Sequence, residues 1–379
     1  MVESGLRESD PSRGGTERKH RESIARLPPV QQTQEGPEAV VLNCSLVRCC
    51  TAIPLLLGWL SVAAEPRTTF TNPILTQGAD PWVLHQGNAY HFCFSRDRQV
   101  WVSTSRRLEQ IGTVAPVSVW TPGTGRPWSR NLWAPELHFL SGRYYIYLAA
   151  DDGDNARHRM FVLEGDTSDP QKPFQLRGKI HAPDDHWAID GTVLTLPGDR
   201  LYFLWSGWEG ETNVQQNLYI APMSDPLTLS GPRVQISEPT RDWERHGRPW
   251  VNEGPQVLWH GGRLWVIYSA SGSWTDDYCL GALEWLGGDV LRSESWVKRP
   301  APVFARTETV FGPGHASFVT SPDGTEDWIV YHAAQFRGAG WKRDIRMQRF
   351  TWNPDGSPDF GTPVAPGVPL ALPSGTPAE

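Results

Sequence analysis

Gly78-Ala79-Asp80-Pro81 opens a pattern that this 379-residue chain repeats four more times. The other openings are Trp133-Ala134-Pro135-Glu136, Ala188-Ile189-Asp190-Gly191, Val251-Asn252-Glu253-Gly254 and Gly312-Pro313-Gly314-His315. The ionisable positions 80, 136, 190, 253 and 315 lie 54 to 63 residues apart. A repeat of this length with several short strands per copy is typical of a β-propeller blade. The five ionisable residues are therefore predicted to meet near one axis.

Each opening is followed by an apolar segment, a tight turn and an aromatic-rich segment, which together predict a β-hairpin. The turns are Gln86-Gly87-Asn88, Ser141-Gly142, Pro197-Gly198-Asp199, His260-Gly261-Gly262 and Pro322-Asp323-Gly324. With 36 Gly, 33 Pro and no sustained helical period, the chain is predicted to be all-β. We expect one five-bladed β-propeller over residues 65–379, with the active site in its axial pocket. Thr69–Ile74 and Phe350–Trp352 are the segments expected to close the ring.

The front of the chain is predicted to lie outside this domain. Residues 1–45 are expected to be disordered, because they are mostly polar and lack an apolar period. Residues 46–64 combine a basic residue, a short apolar stretch and small residues at Val62-Ala63-Ala64, the pattern of a secretory signal peptide. The alternative is a membrane anchor, but the stretch is short for a span and contains Pro54. We therefore expect a secreted, extracellular protein without stable membrane association.

Composition narrows the class of ligand. The formal charge of −7 argues against nucleic acid as a partner. The 19 Trp residues suit flat apolar faces such as sugar rings, although packing between blades is expected to occupy about half of them. Cys93 and Cys279, in different repeats, are expected to be unpaired buried thiols.

Carboxylates from different blades provide the minimum equipment for hydrolysis of a glycosidic bond. A general acid needs a raised pKa, which a second carboxylate supplies through repulsion between like charges. Asp80, Asp190 and Glu253 could therefore serve as base, modulator and acid. The alternative is that such residues only form turns or caps at strand ends. Four carboxylates in register with the repeat favour the catalytic interpretation.

The openings, together with their neighbouring residues, resemble glycoside hydrolase family 43 from about Asn72 to Pro373. The resemblance implies a five-bladed propeller and an inverting mechanism. Asp80 would then be the general base, Glu253 the general acid, and Asp190 the residue that orients the acid and raises its pKa. It also implies an axial metal or water held partly by His315. Calcium prefers oxygen ligands, so water molecules would have to complete its shell, and a histidine without metal is the alternative.

Further residues are assigned by resemblance or by position. Arg343 matches the family arginine that reaches sugar hydroxyls, although a solvated strand arginine is the alternative. Trp82, Trp133 and Trp208 are candidates for lining the sugar pocket, with core packing as the rival interpretation. Glu136 is expected to brace the strand ends or the axis.

The resemblance implies a secreted exo-acting α-L-arabinofuranosidase that removes terminal arabinofuranosyl residues from arabinan or arabinoxylan. The expected partners are plant polysaccharides or oligosaccharides containing arabinose or xylose. No cofactor is expected to be required, and calcium is the candidate for an ion bound on the axis. Within the family, β-xylosidase and endo-arabinanase activity remain open. A non-catalytic sugar-binding propeller is the alternative from another class, but it would not need all three acids.

Overall fold

A computed structural model describes residues 68–378, and its regular elements are β-strands and four short 3₁₀ turns. The all-β prediction is thus confirmed for this part of the chain. The turns span Leu108–Gln110, Asn155–Arg157, Asp242–Glu244 and Ser293–Ser295. No helix in the described range is long and apolar enough to cross a bilayer. The predicted disordered segment, residues 1–45, and the signal-like segment, residues 46–64, lie outside the described residues.

The strands form five consecutive groups, and the first and last strands lie outside these groups. The first strand, β1, spans Thr69–Thr71. Group one contains β2 (Trp82–Gln86), β3 (Ala89–Arg96), β4 (Gln99–Ser105) and β5 (Val117–Trp120). Group two contains β6 (Arg130–Leu140), β7 (Arg143–Asp151), β8 (Arg159–Glu164) and β9 (Gln175–Ile180). Group three contains β10 (Ala188–Leu196), β11 (Arg200–Gly207), β12 (Gln215–Asp225), β13 (Thr228–Leu229) and β14 (Val234–Ser237).

Groups four and five complete the series. Group four contains β15 (Trp250–His260), β16 (Arg263–Ala270), β17 (Cys279–Trp285) and β18 (Trp296–Lys298). Group five contains β19 (Phe311–Thr320), β20 (Asp327–Ala334), β21 (Arg343–Trp352) and β22 (Pro358–Asp359). The last strand, β23, spans Pro369–Ala371. Within each group the strands pair antiparallel, and a short parallel contact between β12 and β15 joins groups three and four into one sheet.

The first strands of the groups contact one another in a cycle: β2 with β6, β6 with β10, β10 with β15, β15 with β19, and β19 with β2. Each predicted hairpin is therefore present, and its first strand lies beside the first strands of two other groups. The openings of the five repeats consequently face a common central region.

The core is divided among five hydrophobic clusters, each built from two neighbouring groups. Tyr147 and Phe203, for example, pack between groups two and three, and their ring centroids are 5.3 Å apart. Burial of large aromatic side chains between sheets is the dominant favourable contribution to such a fold. Cys93 and Cys279 are buried free thiols in different clusters, as predicted.

The two ends of the described chain meet. Strand β1 pairs antiparallel with β23, and Leu75 forms a further bridge to Ile345. The N-terminal segment predicted to close the ring does meet β21, but at the start of that strand: the Ile74 N–H donates to the Ile345 carbonyl at 2.9 Å, and the Ile345 N–H donates to the Leu75 carbonyl at 2.9 Å. Phe350–Trp352, the part of β21 predicted for this role, pairs with β20 and β22 instead. Residues 369–371 provide the second partner of the N-terminal segment.

Candidate active site

Four of the five ionisable residues converge in the central region. A carboxylate oxygen of Asp190, one of Glu253 and a ring nitrogen of His315 lie within 4.8 Å of one another. His315 Nδ1 is also 3.3 Å from Asp80 Oδ1. The side chains of Asp190, Glu253 and His315 are buried, whereas that of Asp80 keeps 26% of its surface exposed. The repeat thus places three acids and an imidazole in one pocket, with Asp80 the most accessible of them.

Irregular backbone aims these side chains. The first strands of groups two to five are each interrupted by a β-bulge at the opening. Asp80, Asp190 and His315 adopt positive φ angles of 50°, 55° and 44°, and the equivalent bend falls on Ala134 and Gly254 in the other two groups. Bulges re-aim side chains and are frequent beside active sites, and a positive φ is uncommon for residues other than glycine. The strained backbone positions therefore coincide with the candidate site.

Arg343 and two histidines surround Asp80. Arg343 Nη1 lies 3.5 Å from Asp80 Oδ1, and His332 Nδ1 lies 3.2 Å from the same oxygen. Burial alone would raise the pKa of Asp80. The imidazoles of His315 and His332 and the Arg343 guanidinium outweigh burial and hold that pKa well below its usual range. Asp80 is consequently an ionised carboxylate over the working pH range of most enzymes.

Asp190 and Glu253 have the opposite tendency. Burial, opposed by His315 and reinforced by Glu253, raises the pKa of Asp190 to about 8. Burial also raises the pKa of Glu253, against the lowering effects of His315 and of the hydrogen bond from Tyr278. The Gly254 N–H donates to Asp190 Oδ2 at 3.0 Å, which ties Asp190 to the segment that carries Glu253. The pocket therefore holds one carboxyl group whose pKa is depressed, Asp80, and two whose pKa values are raised, Asp190 and Glu253.

His315 lies between these groups. Burial opposes its ionisation, but Asp80, Asp190 and the other carboxyl groups around it outweigh burial and raise its pKa. Its backbone N–H donates to Ser269 Oγ at 2.8 Å. An imidazolium here supplies positive charge at the centre of an acidic pocket, and it contributes to keeping Asp80 ionised.

Asp190, Glu253 and His315 form a group that could hold a metal ion. Calcium takes about six to eight oxygen ligands, whereas this group offers two carboxylates and one ring nitrogen. The donor set therefore does not fit calcium bound directly, and no catalytic step is assigned to a metal.

Glu136 lies in the same region but is fully engaged by protein groups. Gln256 Nε2 donates to Glu136 Oε1, and His138 Nε2 lies 3.0 Å from Glu136 Oε2. Gln256 belongs to β15, so the contact ties group two to group four beside the bulge that presents Glu253. This geometry agrees with the expectation that Glu136 is a brace.

Two other predicted residues, Arg343 and Trp82, lie in different environments. Arg343 is buried and bonds Asp80 together with the Ser273 carbonyl oxygen, 2.7 Å from Nη2, so its alternative as a solvated strand arginine is wrong. The Trp82 indole N–H donates to the Leu137 carbonyl at 2.6 Å, between groups one and two. Trp82 is therefore committed to packing between sheets, which is the rival interpretation of that residue.

Trp133 and Trp208 belong to one row of aromatic rings. Trp133 stacks on His158 at 4.0 Å, His158 meets Trp187 edge-on at 6.2 Å, and Trp187 stacks on Trp208 at 4.8 Å. Trp133 is 38% exposed, whereas Trp208 is buried. Trp133 thus offers a face to a ligand, and Trp208 supports it through the two intervening rings.

Sequence reasoning missed two residues of the pocket. The Tyr278 hydroxyl donates to Glu253 Oε1 at 2.8 Å, and His332 Nδ1 accepts the Asp80 backbone N–H at 3.1 Å. Burial and Arg343 lower the pKa of His332 to about 3, so it is neutral and free to accept. Tyr278 directly precedes β17, and His332 lies within β20; both strands have apolar sequences that indicate core packing. Only the strand register would have indicated that these two side chains point toward the openings.

Comparison with known proteins places these features in a family. The sequence model for "Glycosyl hydrolases family 43" matches residues 70–358. The chain belongs to this family. As a family 43 protein it is a glycosidase, and its acid pocket is of the kind that hydrolysis of an O-glycosyl bond requires.

Individual relatives of this family 43 protein include the extracellular exo-α-(1→5)-L-arabinofuranosidase of Streptomyces avermitilis. It is 35% identical over 85% of this chain and 71% of its own length. α-L-Arabinofuranosidase 43 of Humicola insolens is 34% identical over 83% of this chain and 68% of its own. Among solved structures, the α-L-arabinofuranosidase from Lactobacillus brevis matches with a TM-score of 0.73 and 34% identity. That match covers 79% of this chain and 98% of the other.

Proposed function

We propose that this protein is a secreted, exo-acting α-L-arabinofuranosidase that removes terminal arabinofuranosyl residues from arabinan or arabinoxylan with inversion. The observation that carries the proposal is the convergence of Asp80, Asp190, Glu253 and His315 in one pocket. Against the effect of burial, His315, His332 and Arg343 hold the pKa of Asp80 well below its usual range, while burial raises the pKa values of Glu253 and Asp190. One ready base and one ready acid in a single pocket are what acid/base hydrolysis requires.

In the proposed mechanism Asp80 accepts a proton from a water molecule as that water attacks the anomeric carbon. Glu253 donates its proton to the departing glycosidic oxygen, so the bond between that oxygen and the sugar breaks with inversion. Asp190 holds the Gly254 N–H and thereby orients Glu253. Arg343 positions Asp80 and borders the sugar. The inverting geometry expects about 6.5–9.5 Å between the base and acid carboxyls.

We also propose that the five strand groups are the blades of a five-bladed β-propeller, and that residues 65–379 form one catalytic domain. The cyclic contacts among β2, β6, β10, β15 and β19 support this arrangement. The pairing of β1 with β23 would then fasten the ring.

Two kinds of evidence support arabinofuranose as the sugar: relatives of at least 34% identity are named arabinofuranosidases, and so is a solved structure at 34% identity. The test is hydrolysis of aryl α-L-arabinofuranoside against aryl β-D-xyloside, followed by product analysis on arabinan. Release of arabinose alone from arabinan supports the proposal, and the anomer formed first reports inversion. Preference for the xyloside would indicate β-xylosidase, and release of oligosaccharides would indicate endo-arabinanase. Binding of arabinan without any cleavage would indicate a sugar-binding protein.

The extracellular location is supported by the names of two relatives from Streptomyces, which are both called extracellular. In the proposed processing, cleavage after residue 64 leaves Glu65 as the mature N-terminus. Mass spectrometry of the secreted protein tests this, and an intact Met1 found only in the cell fraction would contradict it.

Replacing Tyr278 with Phe is predicted to move the alkaline limb of the pH–rate profile to higher pH. The Tyr278 hydroxyl stabilises the charged form of Glu253, so its removal raises the pKa of Glu253 further. A general acid works below its pKa, and activity is lost as the pH rises through it. The rate at the optimum should fall less than about tenfold. Tyr331→Phe, which removes a buried hydroxyl outside this pocket, serves as the control, and a limb that moves to lower pH in Tyr278→Phe would contradict the assignment.

Calcium enters the proposal only in a water-mediated form beside His315, because the donor set does not suit direct binding. In that form the ion would stabilise the folded protein without taking part in a step. Treatment with a chelator is therefore predicted to lower the melting temperature by a few degrees and to leave kcat nearly unchanged. An unchanged melting temperature would make His315 a group that acts through its protein contacts alone.

A further inference from the structure

Two loops next to the pocket expose a pair of tryptophans that the catalytic assignment leaves unused. Trp341, in the loop before β21, is 69% exposed, and Trp274, in the loop before β17, is half-buried. Their ring centroids are 6.1 Å apart in an edge-to-face arrangement. We call these two residues the aromatic shelf. Two adjacent tryptophans form a contiguous apolar surface, and such surfaces often mark binding sites.

The shelf is connected directly to the catalytic residues. The Trp341 indole N–H donates to Ser273 Oγ at 3.3 Å, and the Ser273 carbonyl accepts from Arg343 at 2.7 Å. The same guanidinium reaches Asp80 Oδ1 at 3.5 Å. The loop that carries Trp274 ends at Tyr278, whose hydroxyl holds Glu253. The shelf therefore borders the pocket, with one loop connected to the proposed base and the other to the proposed acid.

Backbone contacts hold the two loops in place. The Gly338 N–H donates to the Asp276 carboxylate at 2.8 Å, and the Gly312 N–H donates to the Asp276 carbonyl at 2.8 Å. Gly272 lies so close beneath the Trp274 ring that a Cβ there would come within 2.7 Å of it. A binding surface fixed in this way loses little conformational entropy when a ligand binds. The open ring faces are thus prearranged to receive a flat apolar surface.

We propose that the aromatic shelf is a subsite for the sugar on the leaving-group side of the scissile bond. Its occupant would be the second pentose of an arabinan or arabinoxylan chain, whose apolar ring face stacks on Trp341. This inference rests on the proposed function and adds that the enzyme acts better on oligosaccharides than on simple glycosides. The sugar that is cleaved must reach the buried acid, whereas Trp341 is exposed. A second sugar attached through the leaving oxygen would therefore extend outward, toward the shelf.

The test compares Trp341→Ala with wild-type protein on α-1,5-arabinotriose and on methyl α-L-arabinofuranoside, whose leaving group is too small to reach the shelf. We expect kcat/KM for arabinotriose to fall about tenfold, the size of one lost stacking contact, and that for the methyl glycoside to stay within about twofold. Trp341→Phe keeps an aromatic ring and should retain most of the activity on arabinotriose.

Trp259→Ala is the matched control. Trp259 is also on the surface, 40% exposed, but it lies six residues after Glu253, about 20 Å along β15. It should change neither substrate's kinetics. A second readout is the affinity of Glu253→Gln for arabinotriose, which should fall about tenfold when Trp341→Ala is added. This binding measurement does not depend on turnover.

Three outcomes would overturn the inference. Trp341→Ala could slow both substrates equally, Trp259→Ala could have the same effect as Trp341→Ala, or the affinity of the Glu253→Gln protein could be unchanged by loss of Trp341. Each leaves the proposed function intact as long as wild-type protein cleaves both substrates. Failure of wild-type protein to cleave arabinotriose would instead overturn the proposed function, and the inference with it.

Discussion

Glu253→Gln should lower kcat on arabino-oligosaccharides by about 10³-fold, near the middle of the range for loss of a general acid. The substituted side chain has nearly the same shape, and its carbonyl oxygen can still accept the Tyr278 hydroxyl hydrogen bond. It has no acidic proton to give to the leaving oxygen. Since no charge is left unpaired, the melting temperature should change little.

A comparison of substrates with different leaving groups tests the role of Glu253 more sharply than the rate on one substrate. An oligosaccharide leaves as a strongly basic alkoxide and needs protonation, whereas a dinitrophenolate leaves without it. The variant should therefore retain a much larger fraction of activity on 2,4-dinitrophenyl α-L-arabinofuranoside than on arabinotriose. Glu284→Gln, a change on β17 outside the pocket, is the control and should behave like wild type. An equal loss on both substrates would mean that Glu253 is not the acid.

Asp80→Asn should lower kcat by about 10³-fold or more on both kinds of substrate, because attack by water is needed whatever the leaving group. The amide cannot accept the proton of the attacking water. The contrast with Glu253→Gln separates base from acid within one pair of assays. A rate on the dinitrophenyl substrate close to that of wild type would contradict the assignment of Asp80.

Asp80→Asn should also affect stability, unlike Glu253→Gln. The carboxylate balances the buried Arg343 guanidinium, and its removal leaves that positive charge without an acidic partner. We expect a melting temperature several degrees lower, measured at neutral pH. Because the folded-state pKa of Asp80 is depressed, its stabilising contribution is present above the unfolded pKa. That contribution is lost as the pH falls through the folded value. The difference in stability between wild type and variant should therefore shrink in strong acid.

The sequence predicted the hairpins and the residues that converge, because both follow a regular spacing. The sequence could not predict which residue of each opening adopts the positive φ angle. Structurally, Ala134 and Gly254 occupy the backbone position that Asp80, Asp190 and His315 occupy elsewhere. A Cβ at Gly254 would lie 3.2 Å from the His315 ring, which explains why the acid in group four stands one residue earlier, at Glu253. The spacing of the repeats does not reveal these differences between the openings.

Other features had no periodic signal. The fourth strands of the groups are short and mixed in polarity, as in β9, where charged and apolar residues alternate imperfectly around Gly178. They were not predicted, because pairing to a neighbouring edge rather than side-chain pattern defines them. Tyr278 and His332 were missed for a related reason: an aromatic ring beside an apolar strand usually indicates packing, and only its hydrogen bond reveals a role in the pocket.

The pairing of Thr69–Thr71 with Pro369–Ala371 brings the two ends of the described chain to the same edge of the molecule. A short peptide could therefore link them, and new termini could be opened in an exposed turn such as Gly287–Gly288, between β17 and β18. Such a circularly permuted enzyme would keep every group of strands intact. Because the two ends lie close together, the domain could also be inserted into a surface loop of another protein, with its two connections at neighbouring points.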